Sequence, residues 1–260
     1  MHLSVKEKRQ LYENGYVLLK NVIPRRMVDE ALRTINHSVG EGMDPAQMRI
    51  FRSQTFCPEL RQDPAIVDLL AKSPVWNLAE SALGEGQIRP VGGGQIALRF
   101  PVPADPPRPV GVHLDGMYAP DNGVTPGTIA NFTALIGIFL SDVETEYAGN
   151  FSVVPGSHRI YAAYFRDHGA ESLLQGMPPV DLPPVHQIRA RAGDAVLCHY
   201  QLAHGVAQNV SPHVRYAIFF RLHHVDFDPA HWQAPMQDIW MHWPGIRSVV
   251  PDEAPGDGHQ

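Results

Sequence analysis

The sequence predicts an α+β fold, mainly β, in which helices near the N-terminus flank a core of short strands. Three observations carry this. Long apolar stretches with helical period precede residue 84. From Val110 onward, short β-type runs alternate with turn clusters, the pattern of an antiparallel sandwich or barrel. The 24 prolines and 22 glycines favour many turns over a helical bundle.

Ser4 caps a first helix running to Asn14, with Glu7 as its capping-box partner and Asn14-Gly15 as its stop. Tyr16 to Lys20 reads as a strand. Pro24 opens a second helix to about Val39, where Met27, Val28, Ala31, Leu32 and Ile35 keep the helical period. Residues 43–63 carry no assignable pattern. A third helical stretch, Ala65 to Leu83, is broken by Pro74. Gly92-Gly93-Gly94 lacks the spacing of a dinucleotide fingerprint and reads as a turn into the extended run Gln95 to Phe100. A proline-rich loop, 101–109, precedes β-type runs at 110–115, 130–141, 151–154, 185–189, 195–199 and 215–223. One helix, about 160–174, interrupts them. Residues 226–243 read as a closing helix with Trp232, Trp240 and Trp243, and the stretch from Pro251 as a polar, disordered tail. No repeat or long linker divides the chain, so a single domain over residues 1–250 is expected.

A net charge of −6 gives a nucleic-acid partner no electrostatic support. The longest apolar run, Ala134 to Leu140, is too short to span a bilayer. Cys57 and Cys198 have no metal-type spacing and read as free thiols. With no signal-peptide pattern at the N-terminus, the expected location is the cytoplasm.

The chemistry centres on Gly111-Val112-His113-Leu114-Asp115-Gly116. On an extended chain His113 and Asp115 point to one face and can share a divalent metal. Such a pair also arises as an ordinary surface pair on a strand. The best third ligand is His204; His199 is a rival, and His213, His223, His224 and His231 read as structural or exposed. Two histidines and one carboxylate on one side of a metal make the facial triad of non-haem Fe(II) oxygenases. Arg215 opens a strand on which Arg215, Ala217, Phe219 and Arg221 share a face. An arginine turned inward needs an anion, either an Asp or the far carboxylate of a keto acid. Pro155-Gly156 signals a type II turn, with His158 beside it.

The pair at 113–115, GNFSVVPGSH at 149–158, RAGDAVLCHYQLAHG at 191–205, Arg215 and the entry ENGYVLLKNVIP at 13–24 together resemble the phytanoyl-CoA dioxygenase family. The resemblance spans about residues 4–245. It implies a double-stranded β-helix, a jelly-roll related to the cupins. His113, Asp115 and His204 would bind Fe(II), and Arg215 would hold 2-oxoglutarate. Arg99, Thr133 and Tyr118 are further cosubstrate candidates, and Gln95 a substrate contact. The implied reaction is hydroxylation of a small molecule by O2, releasing succinate and CO2. Two positions depart from the family: Leu114 stands where many members have a polar residue, and Val206 where some carry a hydroxyl beside the arginine. Asp115 is retained, which favours hydroxylation over halogenation. Two alternatives are a cupin-like metalloenzyme that does not use 2-oxoglutarate and a non-catalytic metal-binding protein on this fold. Substrate walls are expected from loops 101–109 and 118–128 and from the Trp-rich stretch, suiting an apolar or ring-bearing molecule.

Overall fold

The computed structural model describes residues 1–250. The expected tail from Pro251 lies outside them. Helix α1 (Val5–Asn14) carries the capping box of Ser4 and Glu7, and Gly15 ends it with φ 78°. Strand β1 (Tyr16–Leu19) follows, then α2 (Arg25–Gly40). The patternless stretch 43–63 holds α3 (Met48–Ser53) between two single 3-10 turns. Pro74 divides the third helical stretch into α4 (Pro64–Ala71) and α5 (Pro74–Leu83). Next come β2 (Gln95–Arg99), β3 (Ala134–Phe139), β4 (Phe151–Val153) and α6 (Ser157–His168). The last strands are β5 (His186–Gln187), β6 (Ala195–His199), β7 (His204–Val206) and β8 (Arg215–Leu222).

Three expectations are corrected. Residues 110–115 form no strand; His113 makes a single antiparallel bridge to His204. His204, which the sequence places between the strand-like run 195–199 and a turn at 208–212, itself opens a strand, β7. The closing helix is broken into a 3-10 turn, α7 (Ala234–Gln237) and α8 (Pro244–Arg247), because prolines 229, 235 and 244 each start a new turn.

Five strands form one antiparallel sheet in the order β1-β6-β3-β8-β2, and three form a smaller one, β5-β4-β7. Side-chain alternation sends the larger sheet's residues to two cores. Val17, Ile136, Ile138, Leu197, Ile218 and Phe220 pack against Leu11, Val28, Ile66 and Leu69 of the helices. Leu135, Phe139, Val196, Ala217 and Phe219 face Phe151 and Val153 of the smaller sheet. The result is three layers: helices, large sheet, small sheet. Gly137 leaves room for the Phe219 ring, which would lie 2.7 Å from a Cβ at that position. The site occupies the seam between the two sheets.

Candidate metal centre

His113 and His204 are brought together by backbone pairing. Each donates its N–H to the other's carbonyl, at 2.9 and 3.1 Å, so they form a directly opposed pair with side chains on one face. Their ring centroids are 4.8 Å apart. Gly205 makes this approach possible, since a Cβ there would collide with the Gly111 carbonyl oxygen. Two residues beyond His113 the chain enters a turn at Asp115 and Gly116, and Asp115 Oδ1 stands 3.4 Å from His113 Nε2 and 3.6 Å from His204 Nε2. Gly116 then turns with φ 86°, pressed on the backbone of Ala130. Leu114 points the opposite way into the inter-sheet core, and its N–H meets Met177 Sδ at 3.3 Å.

One donor atom from each of His113, Asp115 and His204 lies within 4.8 Å of the others, and among the described residues no other cluster of His, Cys, Asp or Glu does this. Two donors at right angles on bonds of about 2.1 Å stand about 3 Å apart, so the spacing suits one ion of ordinary size. Neutral imidazoles and a carboxylate are also the donor set that iron takes. His204 Nδ1 donates to the Leu202 carbonyl at 2.9 Å, which leaves Nε2 as the free donor atom. Burial pushes the Asp115 carboxyl up. The Arg221 charge and hydrogen bonds from both histidines outweigh it and hold the group well below the usual carboxylate range. Arg221 grips the other oxygen, Oδ2, through Nη2 at 2.8 Å and Nε at 3.1 Å, leaving Oδ1 to face the histidines.

Arg215 is 1% exposed. Its Nε donates to the Gly149 carbonyl at 2.8 Å and Nη1 to the Ala97 carbonyl at 3.0 Å. Its Nη2 is buried without a partner. Arg99 is its direct cross-strand neighbour, since β2 and β8 pair Arg99 with Arg215. Burial and the Arg99 charge both push against the protonated form of Arg215. Among the described residues no Asp or Glu pairs with it. Gly149, the first residue of the 149–158 motif, lies over both arginines: a Cβ there would stand 3.0 Å from Arg99 Cβ and 3.2 Å from Arg215 Cβ. The rest of that motif is architectural. Asn150 bonds two backbone groups of its own turn, Ala148 N–H and the Thr145 carbonyl, and ties them to the Ile188 carbonyl across the small sheet. Ser157 Oγ accepts from Ala203 N–H, directly before His204.

The other candidates separate. Gln95 accepts from Arg221 Nη1 at 2.9 Å and so touches the metal side of the site. Thr133 lies at the far end of the sheet from Arg215, beyond the level where Leu135 faces Arg221, and its hydroxyl accepts from His224 N–H. It therefore supplies no hydroxyl in place of Val206; the carbonyls of Gly149 and Ala97 hold the arginine instead. Tyr118 is half-exposed in the loop after Asp115. His199 is no ligand: its ring lies between Trp240 and Trp243 and bonds the Ile239 carbonyl. Those two tryptophans belong to the helix-side core, so they form no substrate wall. Two site residues were given no role by sequence reasoning. Arg221 was signalled by its shared face with Arg215. Tyr200 was not: its hydroxyl is buried without a partner, and burial and the Asp115 charge push its pKa up, keeping it protonated.

Two facing antiparallel sheets with a two-histidine, one-carboxylate cluster in the seam define the class of non-haem iron oxygenases. The family model "Phytanoyl-CoA dioxygenase (PhyH)" matches residues 11–217, and the chain belongs to that family. It is accordingly an iron- and 2-oxoglutarate-dependent oxygenase. Among curated proteins, none matches the chain. Solved structures share the fold. The alpha-ketoglutarate-dependent carbocyclase SnoK from nogalamycin biosynthesis is 22% identical over 85% of this chain and 83% of its own, with a TM-score of 0.54. EctD from S. alaskensis with bound Fe is 17% identical over 85% and 76%, with a TM-score of 0.53. HygX from Streptomyces hygroscopicus with iron bound is 17% identical over 87% and 89%, with a TM-score of 0.52. No helix among the described residues is long and apolar enough to cross a membrane.

Proposed function

We propose that His113, Asp115 and His204 bind Fe(II), that Arg215 binds the far carboxylate of 2-oxoglutarate, and that the enzyme hydroxylates a C–H bond of a small molecule. O2 is the oxidant, and succinate and CO2 leave with the hydroxylated product. The observation that carries this reading is Arg215, a buried guanidinium with one nitrogen unpartnered beside a second arginine. Burying it without an anion is costly, and a carboxylate accepts from guanidinium nitrogens in pairs. A metal enzyme with no keto acid would leave that charge unexplained.

When bound, iron and 2-oxoglutarate supply the oxidising chemistry. The protein's part is positional. Arg221 fixes the Asp115 carboxylate so that one oxygen is offered to the metal. The Leu202 carbonyl fixes the His204 tautomer. The rings of Phe151 and Phe219, with centroids 5.1 Å apart, back His204 and exclude water from that side. Asp115 occupies the position that halogenation would need vacant. The two sheets are the faces of a double-stranded β-helix, and residues 1–250 act as one catalytic domain. Two buried free cysteines suit the reducing cytoplasm.

The test is anaerobic titration of the Fe(II)-loaded protein with 2-oxoglutarate, following the visible metal-to-ligand charge-transfer band. The band is expected in the wild type, weakened in Arg215→Met and lost in His204→Ala. An iron-loaded wild type with no band overturns the reading.

A further inference from the structure

Beside the metal centre lies a cavity of about 400 Å³ lined by Arg61, Arg89, Arg221, His223, Gln95 and Phe219, with Gly92 and Gly93 at its edge. We infer that this cavity binds the anionic end, a carboxylate or phosphate, of the substrate. The inference rests on the metal reading above, because it is the cavity's position that makes its ligand the substrate.

Charge is the first argument. Three guanidiniums line the cavity, and none of the lining residues is acidic. Arg221 is neutralised by Asp115. Arg89 is not: its Nη2 donates only to the carbonyls of Val225 and Phe227. Those bonds fix the guanidinium in place; among the described residues no carboxylate bonds it, and of the carboxylates only the exposed Asp228 feels its charge. Arg61 is exposed at the rim. In a chain of net charge −6, two arginines without a bonded carboxylate, gathered at one concavity with no acidic lining, favour an anion there.

The second argument is construction. The triple glycine shapes the cavity. Gly94 N–H donates to the Arg61 carbonyl at 2.9 Å, and a Cβ at Gly93 would stand 2.9 Å from that same oxygen. The glycines therefore let two loops press together and hold Arg61 beside the β2 edge. A Cβ at Gly92 would meet nothing within 4 Å, so that side of the cavity is open for entry.

Connection is the third. Arg221 spans from the cavity to the metal ligand: it bonds Asp115 on one side and Gln95 on the other, with its guanidinium carbon 5.6 Å from the Phe132 ring centroid. A molecule anchored at Arg61 and Arg89 lies along Phe219 and Arg221 and so extends toward Asp115. The volume suits a small molecule, and its polar lining replaces the apolar pocket expected from the sequence.

The test uses the full-length Fe(II) protein under argon with saturating 2-oxoglutarate, so that the Arg215 end is filled. Benzoate, phenyl phosphate and neutral benzamide are titrated by calorimetry into the wild type, Arg61→Gln and Arg61→Lys. Benzoate or phenyl phosphate is expected to bind at least tenfold more tightly than benzamide. Arg61→Gln should weaken that binding several-fold, with Arg61→Lys keeping most of it. The tighter of the two anions identifies the substrate's group as carboxylate or phosphate. Equal binding of benzamide, or anion binding indifferent to Arg61→Gln, overturns the inference. The charge-transfer band, followed in the same samples, reports separately on the metal and 2-oxoglutarate.

Discussion

Arg99 and Arg215 stand directly opposite each other on neighbouring antiparallel strands, two like charges on one buried face. Such a pair is destabilising on its own. A dicarboxylate that neutralises it is bound by the folded state alone and so stabilises that state. At a hundred times its dissociation constant the gain is about 2.7 kcal/mol. For a chain of this size that raises the melting temperature by roughly 5 °C or more. The metal-loaded wild type should show this rise on adding 2-oxoglutarate, and Arg215→Met should not. Equal shifts in the two proteins would place the cosubstrate elsewhere.

Gly205 provides a test of how the centre is assembled. Its hydrogen faces the Gly111 carbonyl, where a methyl group has no room. Gly205→Ala must push the 111–115 loop away from β7 and separate His113 and Asp115 from His204. Metal affinity is expected to fall at least tenfold, read by competition with a chromophoric chelator. Gly111→Ala is the control, because a Cβ there meets nothing within 4 Å. Similar losses in both variants would show that the close approach at Gly205 is not what assembles the site.

The residues that converge here were legible where chemistry is written in local spacing. His113 and Asp115 share a face whether the chain around them is a strand or a single bridge, so the wrong secondary structure did no harm. Donor type alone leaves several histidines as the third ligand; it is the family-like runs around His204 and Arg215 that single those two out. Long-range packing was not legible. Nothing in the local sequence says that Trp240 and Trp243 turn to the helices, or that Thr133 ends up at the opposite end of the sheet from Arg215. The triple glycine reads as a turn in the sequence, whereas residues 92–94 form none and run straight into β2; its contact with Arg61, more than thirty positions earlier, exists only in the fold. Arg221 shared a visible period with Arg215, yet its partner Asp115 is 106 residues away.

Both thiols are free and buried. Burial pushes the pKa of Cys57 and of Cys198 up, so neither offers thiolate at neutral pH. Native protein is expected to react with a disulfide-exchange reagent far more slowly than the unfolding-independent rate of a model thiol, and to release two equivalents in denaturant. A rapid equivalent in the native state would mean that one of these sites opens readily.

His199 makes stability depend on pH in a definite direction. Its Nε2–H donates to the Ile239 carbonyl at 2.7 Å, and Nδ1 accepts from Gln201 N–H at 3.0 Å. Both bonds require the neutral ring, since a proton on Nδ1 would face another N–H. Burial lowers its pKa from the ordinary 6.5 to about 4. The unfolded chain therefore takes up the proton first as pH falls. The contribution is fully present above about pH 6.5 and is lost progressively down to about pH 4. Between pH 7.5 and 5 the loss from this one group is about 2 kcal/mol. His158, whose ring centroid is 5.5 Å away, is also held well below the usual range by burial and by His199, and it acts in the same direction. Urea unfolding at the two pH values should thus show a smaller drop in His199→Phe than in the wild type, and a smaller one still when His158 is also replaced. The variants start from lower stability at pH 7.5, having lost the hydrogen bonds, so the difference between pH values is the quantity to compare. An unchanged drop would mean that the acid sensitivity arises in other groups.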